Sequence, residues 1–204
     1  SGRIRVPTPW NFKLTNPLRF RVWIFFAKRS IRQWWNRYSL QEFNYLMPPF
    51  GNVIFGGTFD PIHDGHRSLF KYAFELGNVT IGLTSDELAS STRSNSRPIR
   101  PFLDRKQNLI SELLPLSKTH SRAFEIIELI TPTSIASEGE YDVLVVSPET
   151  EPISYLINQI RIDTGLKPLS VVTIPFVHSK DGGIISSTRI LSGEIDSNGN
   201  ILSP

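Results

Sequence analysis

The stretch that decides the fold is Asn52-Val-Ile-Phe-Gly-Gly-Thr-Phe-Asp-Pro-Ile-His-Asp-Gly-His66, which continues as Arg67-Ser-Leu-Phe-Lys71. Asn52 is followed by three apolar residues, a short run that is typical of a buried strand and that ends at two consecutive glycines. Glycines at a strand end allow the backbone to turn sharply and a ligand to approach closely. From Asp64 onward the apolar residues have helical spacing. The stretch therefore predicts a strand, a tight turn and a helix that starts beside a ligand.

The two histidines of this stretch lie at the predicted start of the helix. Asp64 is the expected N-cap, so that His63 precedes the first turn and His66 lies within it, beside free backbone N–H groups. A helix start of this kind binds anions, and two imidazoles three residues apart reach one phosphate group, for which Gly65 leaves room. Two alternatives stay open: an ordinary cap or surface histidine, and a divalent-metal site formed by both histidines and the intervening aspartate.

From Gly51 onward the chain alternates between apolar runs and segments of helical spacing. The predicted strands are residues 52–55, 79–83, 124–129, 143–146 and 169–174, and the predicted helices are residues 64–76, 102–114, 150–164 and 186–192. Because the strands lack polar alternation and occur in β-α-β-α order, they predict an α/β fold with a parallel five-stranded sheet covered on both faces. Ligands of such sheets bind at the carboxyl ends of the strands, where functional residues are expected.

Two further segments follow predicted strands and carry polar side chains. Ser186-Ser-Thr-Arg189 follows the last strand, and its hydroxyls, amides and guanidinium suit the β- and γ-phosphates of a nucleotide. Taken alone, this segment is also typical of a serine-rich helix cap with a surface arginine. Ser147-Pro-Glu-Thr-Glu151 follows the fourth strand, and Asn158-Gln-Ile-Arg161 comes soon after it. Taken alone, these residues indicate an acidic helix start and a solvated arginine.

Together these segments resemble the nucleotidyltransferase superfamily with the HxGH motif, which stands here at residues 63–66, and with an Ile-Ser-Ser-Thr signature, here at residues 185–188. Residues 82–87, 147–151 and 158–161 are similar to the archaeal and eukaryotic type of phosphopantetheine adenylyltransferase. The resemblance covers about residues 52–200. It implies a Rossmann-like, doubly wound parallel sheet of the nucleotidyltransferase type, with an N-terminal basic extension.

The resemblance also implies residue roles. It implies that His63, His66 and Arg189 are catalytic, with His66 nearest the transferring centre. It implies that ATP is bound by Gly56, Gly57, Thr58, Phe59, His63, Gly65, His66, Ser186, Ser187, Thr188 and Arg189. It implies that the acceptor substrate is bound by Thr58, Arg93, Ser147, Glu149, Thr150, Asn158 and Arg161.

Two segments depart from the pattern of that family. Residues 130–134, Ile-Thr-Pro-Thr-Ser, stand where the family usually has an Asp-Pro-Tyr-Gly-Pro-like turn. In the basic loop at residues 92–100 all the basic residues are arginines, whereas the family usually offers a lysine to the phosphates. Arg93 is the expected replacement for this lysine, with Arg97 and Arg100 as alternatives.

The reaction implied by the resemblance joins ATP and 4′-phosphopantetheine to give dephospho-coenzyme A and pyrophosphate. Mg²⁺ is expected between the phosphate oxygens, with few or no protein ligands. Transfer to nicotinamide mononucleotide, flavin mononucleotide or a polyol phosphate stays open, as does a non-catalytic nucleotide-binding module. We expect small-molecule substrates, no nucleic-acid partner, a monomeric state and a cytoplasmic location.

Composition excludes several functional classes. The chain of 204 residues contains no cysteine, which excludes disulfide frameworks, zinc–thiolate sites, iron–sulfur clusters and thiol nucleophiles. No apolar run approaches the roughly 18 residues that a membrane-spanning helix needs.

Charge divides the chain at Met47, its only methionine. Residues 1–46 carry a net charge of +8 and all four tryptophans, whereas the remainder carries −5. We therefore expect an N-terminal extension at residues 1–46 and a nucleotidyltransferase domain at residues 47–204. Three explanations of the extension stay open: a surface or membrane-associating helix, a structural extension of the domain, or a leader upstream of a true initiator at Met47. Membrane contact is expected only if the extension is native.

Overall fold

The computed structural model describes residues 51–91 and 98–202. The predicted N-terminal extension and the predicted phosphate contact Arg93, together with its alternative Arg97, lie outside the described residues. The described strands are β1 (Asn52–Gly57), β2 (Asn78–Thr84), β3 (Phe124–Leu129), β4 (Val143–Val146) and β5 (Ser170–Thr173). The helices are α1 (Asp64–Leu76), α2 (Asp86–Ser91), α3 (Phe102–His120), α4 (Ser134–Glu138), α5 (Glu151–Asp163) and α6 (Ser187–Leu191).

The five strands form one parallel sheet in the order β3-β2-β1-β4-β5. Val53 of β1 pairs with Val79 of β2 on one side and with Val143 of β4 on the other. The chain builds outward from β1 to β3 and then crosses back to β4, so the topological switch lies between β1 and β4. The predicted parallel α/β sheet is confirmed, and ligands of such sheets bind at the carboxyl ends of the strands beside the switch.

Alternating residues of the strands feed two separate cores. Phe55 faces α1 and α3, where it packs with residues such as Phe70 and Leu109. Ile54, the preceding residue of the same strand, faces α4 and α5 and packs with residues such as Ile157. Because both faces of β1 are buried in this way, the strand is an uninterrupted apolar run, as the sequence indicated.

Each predicted strand and helix is present. The bounds of α1, β3 and β4 are as predicted, the other elements differ at one or both ends, and the structure adds α2 and α4. These two helices have six and five residues, which is too short for a helical period to show in the sequence. Helix α3 continues through Pro115 to His120, whereas the prediction ended it at Leu114. Ser121, in the left-handed conformation, ends it by donating its N–H to the Lys118 carbonyl.

In the described part of the chain, every helix is too short or too polar to cross a lipid bilayer.

Candidate active site

The turn after β1 is shaped by glycines that sit against neighbouring groups. A Cβ on Gly56 would lie 3.3 Å from the carbonyl oxygen of Gly82 in β2, and one on Gly57 would lie 2.8 Å from the ring of Phe59. Phe59 itself has a φ of +52° and is buried, with its ring edge-on to that of His66 at 5.1 Å between centroids. The Phe59 side chain therefore supports His66 from the core. The predicted contact of Phe59 with ATP stays a prediction.

The predicted N-cap of α1 is corrected by one residue. His63, with extended backbone, is the N-cap, and Asp64 is the first helical residue. The Asp64 carboxylate accepts a hydrogen bond from Arg67 Nη1 at 3.0 Å and does not cap the helix. The shift places the His63 ring over the first turn, where it stacks on His66 with centroids 3.8 Å apart.

Gly65 makes this stacked arrangement possible. A Cβ at this position would lie 3.0 Å from both Cε1 and Nδ1 of His63, and 3.9 Å from the carbonyl oxygen of Ile185. The second contact shows that the segment before α6 passes directly over the start of α1. The side chain of Ser187 adds a hydrogen bond to the Pro61 carbonyl at 3.5 Å. The two sequence-predicted phosphate segments are therefore neighbours in space.

Burial keeps both histidines neutral. It lowers the pKa of His63 to about 4, with a further decrease from the charge of Arg67. It lowers the pKa of His66 to about 3, with further decreases from His63 and from Arg67. In both residues Nδ1 is buried and has no hydrogen-bond partner within the described residues. A proton on Nδ1 would be a buried N–H with no acceptor, so the favoured tautomer carries its proton on Nε2. Both rings therefore offer Nε2–H as the donor to a ligand.

The first turn of α1 adds backbone donors to this pair. The N–H of Asp64 donates to the Ser197 carbonyl at 3.0 Å, and that of Arg67 donates to the His63 carbonyl at 3.0 Å. The N–H groups of Gly65 and His66 lie between these two, in a helical turn that offers them no acceptor within the helix. Amides at a helix start with two neutral imidazole donors suit a phosphate group.

At the start of α6, Ser186 is the N-cap and accepts a hydrogen bond from the N–H of Arg189 at 3.3 Å. Thr188 is exposed on the first turn of the same helix. These residues offer hydroxyl groups beside the histidine pair.

The guanidinium of Arg189 is engaged within the protein. It forms ion pairs with Asp181 and, at 2.9 Å, with Glu194, and it donates to Ser179 Oγ at 2.9 Å. The hydrogen bonds from Arg189 and Ser179 hold the pKa of the Asp181 carboxyl far below its usual range. The predicted catalytic role of Arg189 stays a prediction, because in this structure its donors face carboxylates.

A cavity of about 310 Å³ opens at the carboxyl ends of β1, β2 and β4, on the face covered by α4 and α5. Gly56 and Gly57 line it, so it adjoins the turn that leads to the histidines. Its walls are largely aliphatic, and the lining side chains include Ile54, Leu129, Ile135, Leu144, Ile153 and Ile157. Pro132, from the segment that departs from the family pattern, also lines it.

Two of the predicted acceptor-binding residues, Glu149 and Thr150, line this cavity. Ser147, another predicted acceptor-binding residue, shapes the turn that carries Glu149 and Thr150. Its N–H donates to Thr150 Oγ1 at 3.0 Å, and its carbonyl accepts from the N–H of Glu151 at 2.8 Å. Thr58, which was assigned to both substrates, accepts a hydrogen bond from Thr84 Oγ1 at 3.2 Å, and Thr84 is itself a cavity residue.

Asn158 and Arg161 are structural, which corrects their prediction as substrate ligands. The Asn158 amide makes two hydrogen bonds with the backbone of Leu169, at 2.8 and 3.0 Å. Arg161 is 2% exposed and donates to the carbonyls of Lys167, Ala136 and Gly139 at 2.8 to 2.9 Å. Burial lowers the pKa of this guanidinium. Both side chains use these hydrogen bonds to hold α5 to the neighbouring segments.

Sequence reasoning missed a buried arginine below the site. Arg105 is fully buried and donates to Thr84 Oγ1 at 3.2 Å, to the Thr58 carbonyl at 3.3 Å and to Asp86 Oδ1 at 2.7 Å. Its spacing from Leu109, four residues later on the buried side of α3, is the signal that could have found it.

A second missed contact joins Asp60 to Arg100. The Asp60 carboxylate accepts from the backbone N–H of Arg100 at 2.9 Å and from its Nε at 2.7 Å. The guanidinium of Arg100, one alternative to the family lysine, thus fastens the end of the arginine loop to the turn after β1.

Comparisons with known proteins show which family this chain is similar to. Residues 54–193 match the sequence model of the cytidylyltransferase-like family. The chain is 41% identical over 150 residues to a phosphopantetheine adenylyltransferase of Methanosarcina acetivorans, a match that covers 72% of this chain and 93% of that protein. It is 42% identical over 154 residues to a bifunctional phosphopantetheine adenylyltransferase/NTP phosphatase of Thermoplasma volcanium, covering 74% of this chain and only 45% of that protein.

The chain thus spans less than half the length of the bifunctional relative. Among solved structures, a protein of unknown function from Archaeoglobus fulgidus is similar, with a TM-score of 0.53 and 33% sequence identity. That similarity covers 60% of this chain and 88% of the other. The family match includes both the histidine pair and residues 186–189, and residues from 194 onward lie outside it.

Proposed function

This chain belongs to the cytidylyltransferase-like family, and we propose that it transfers the adenylyl group of ATP to 4′-phosphopantetheine. The products are dephospho-coenzyme A and pyrophosphate, so the protein acts in coenzyme A biosynthesis. The observation that carries the proposal is the position of the apolar cavity, which shares Gly56 and Gly57 with the turn that leads to the neutral histidine pair. The names of relatives that are about 40% identical support it.

The chemistry requires positioning more than proton transfer. An oxygen of the acceptor's 4′-phosphate forms a bond to the α-phosphorus of ATP, and the bond from that phosphorus to the α,β-bridging oxygen breaks. The electron pair of the broken bond leaves with pyrophosphate. Because the attacking phosphate is already ionised at neutral pH, no general base is needed. Catalysis then consists of in-line placement and stabilisation of the developing charge.

The histidine pair supplies fixed donors for that charge. We assign the Nε2–H groups of His63 and His66 to oxygens of the ATP phosphates, with His66 nearest the α-phosphate. We assign the backbone amides of Gly65 and His66, in the first turn of α1, to the same anion. A neutral donor held rigidly by burial reorganises little when charge develops, which is the main requirement of this kind of stabilisation.

The remaining roles divide between the two substrates. We assign the hydroxyls of Ser186, Ser187 and Thr188 to the departing pyrophosphate. Thr58, held by Thr84, lies between the cavity and the histidine turn in the chain and is assigned to the phosphate that attacks. We retain Arg189 as a ligand of pyrophosphate, which requires an exchange of its present carboxylate partners for phosphate oxygens.

The aliphatic cavity suits the pantetheine arm of the acceptor. A volume of about 310 Å³ and walls of isoleucine and leucine match an extended chain with methyl groups. Glu149 and Thr150, the polar members at the start of α5, provide partners for the arm's hydroxyl and amide groups.

We include Mg²⁺ in the proposal as a companion of ATP. In residues 51–91 and 98–202 no three histidine or acidic side chains lie close enough together to hold a metal ion. Mg²⁺ accepts coordination mainly by phosphate oxygens and water, and we propose that it binds in this way, together with the triphosphate. The ion would neutralise charge on the triphosphate when bound. A monomeric state and a cytoplasmic location, where coenzyme A precursors are made, complete the proposal.

The test is release of pyrophosphate from ATP with defined acceptors. The full chain is incubated with ATP, Mg²⁺ and either 4′-phosphopantetheine, nicotinamide mononucleotide, flavin mononucleotide or glycerol 3-phosphate, and dephospho-coenzyme A is identified by mass spectrometry. We expect turnover with 4′-phosphopantetheine alone. Preferential turnover with another acceptor would show that the protein has a different nucleotidyltransferase activity. ATP binding without turnover would indicate a non-catalytic module.

A further inference from the structure

Residues 194–202, which we call the C-terminal turn, contact the start of α1. The N–H of Asp64, the first residue of that helix, donates to the carbonyl of Ser197 at 3.0 Å. Arg67, one turn later, donates from Nη1 to Asn198 Oδ1 at 3.2 Å. The turn therefore holds the helix that carries the histidine pair at two points.

The same turn also holds α6. The Glu194 carboxylate accepts from Arg189 Nε at 2.9 Å and from the hydroxyl of Ser192 at 2.8 Å. The N–H of Glu194 donates to the Arg189 carbonyl at 3.1 Å. One short segment thus contacts both the start of α1 and the end of α6, two helices that are distant in sequence.

Asp196 organises the C-terminal turn. Its Oδ1 accepts from the backbone N–H groups of Asn198 and Asn200 at 2.9 and 2.8 Å, and its Oδ2 accepts from the Asn200 amide at 2.7 Å. These bonds hold the pKa of the Asp196 carboxyl below its usual range, so it is ionised at neutral pH. Loss of this one carboxylate removes three bonds within the turn.

The turn is also seated against the protein. Ile195 is fully buried, and the N–H of Lys180 donates to the Gly199 carbonyl at 3.0 Å. Gly199 has a φ of +77°, and a Cβ there would lie 2.6 Å from Ile185 Cδ1 and 2.9 Å from Ser179 Cα. Contact with Ile185 places the turn directly behind the Ser186–Arg189 segment.

We propose that the C-terminal turn is a positioning element for ATP. It holds the starts of α1 and α6 at the separation that a single triphosphate chain requires, so the two sets of donors need not be ordered when the nucleotide binds. The match to the family model ends at residue 193, before the turn begins. The inference rests on the proposed function, because it takes these helix starts to be the ATP site.

The test compares substitutions in the turn with a matched substitution elsewhere. Asp196→Ala removes the bonds that organise the turn, and Asn198→Ala removes only its side-chain link to Arg67. Asp163→Ala is the control, since it removes an exposed carboxylate that accepts from Gln159 at the far end of α5. For each variant of the full chain, KM for ATP, kcat, the melting temperature and the hydrogen-exchange rate of the Asp64 amide are measured.

We expect Asp196→Ala to raise KM for ATP by about fivefold to tenfold, with a smaller change in kcat. Exchange at the Asp64 amide should become faster, and Asp196→Asn, which keeps an oxygen acceptor, should recover most of the affinity. Asn198→Ala should raise KM less, and Asp163→Ala should change neither value. An unchanged KM for ATP in both turn variants would overturn the inference, whether or not exchange at Asp64 accelerates. If Asp196→Ala fails to fold, Asn198→Ala decides alone.

Failure of the proposed function is distinguishable from failure of this inference. If the wild-type chain binds ATP but releases no pyrophosphate with any acceptor, the proposed activity is wrong. The dissociation constant of ATP, measured by calorimetry, then replaces KM as the readout for the turn variants. A wild-type chain that does not bind ATP would overturn both.

Discussion

The imidazole rings of His63 and His66 stack at 3.8 Å between centroids, and their planes differ by 27°. Two cationic rings at this separation would repel each other strongly, and burial already disfavours a charge on either. Burial and the charge of Arg67 lower the pKa of His63 to about 4, and burial, His63 and Arg67 lower the pKa of His66 to about 3. The site therefore offers a polyanion the N–H groups of two imidazoles and the backbone amides at the start of α1. Its histidines carry no net charge at neutral pH.

Removal of one member of this pair should mainly affect catalysis. In the His66→Ala variant we expect turnover to fall by about 10²- to 10³-fold, because a fixed donor to the transferring phosphate is lost. The measurement is steady-state pyrophosphate release, together with circular dichroism to verify the fold. His120→Ala, at the end of α3, serves as the matched control and should retain turnover. Near-normal activity of His66→Ala would contradict the assignment.

The same pair should make the protein sensitive to acid. In the unfolded chain these histidines titrate near 6.5, and in the folded protein at about 4 and about 3. Between these values the unfolded chain binds more protons, so stability is fully present above pH 6.5 and is lost as the pH falls towards 4.

We therefore expect the contribution of these histidines to the melting temperature to be nearly constant above pH 7. The melting temperature should decrease from pH 6.5 to pH 4. Scanning calorimetry across this range measures it. The double variant His63→Asn/His66→Asn should show a shallower decrease than the wild type, and His120→Asn should keep the wild-type decrease. An equally steep decrease in the double variant would assign the acid sensitivity to other groups.

The fold was predictable because its main signals are local. The apolar run of β1 leads into two glycines, and the helical spacing from Asp64 onward is strong enough to fix the end of α1 at Leu76. The expected nucleotidyltransferase-type sheet is confirmed. What the sequence could not predict depends on non-local packing: the five- and six-residue helices, and the continuation of α3 past Pro115.

The positions of site residues were predictable only where a strand end, a turn or a helix start determines them. The histidine pair, Gly65 and the Ser186 cap follow directly from a strand, a turn and a helix start. Phe59, Asn158 and Arg161 were expected to bind ligands because of the family resemblance, whereas in the structure the Phe59 side chain is buried and those of Asn158 and Arg161 bond to backbone groups. A sequence shows which donors are present, but the competing acceptors of Arg161 come from residues 136 and 139, which only the fold brings near.

Arg105 should affect both stability and turnover. We expect Arg105→Met to lower the free energy of unfolding by about 2–4 kcal/mol, because buried acceptors, including the carbonyl of Thr58, lose their donor. We also expect kcat to fall, because the hydroxyl of Thr84 that holds Thr58 loses its own partner. Urea denaturation and pyrophosphate release measure the two effects.

Lys106→Met is the matched control for this prediction. It removes the neighbouring, partly exposed cation of α3 and should change stability by less than about 1 kcal/mol. Wild-type kcat in a folded Arg105→Met protein would show that Arg105 has only a structural role.

Arg161 and Glu149 should behave in opposite ways, which tests the reassignment of Arg161. Arg161→Met leaves the carbonyls of residues 136, 139 and 167 without their donor, so we expect a loss of about 2–4 kcal/mol in unfolding free energy and an unchanged KM for 4′-phosphopantetheine. Glu149→Ala removes an exposed residue of the cavity wall, so we expect a raised KM for the acceptor and an unchanged melting temperature. A raised acceptor KM in a stable, folded Arg161→Met protein would restore Arg161 to the substrate site.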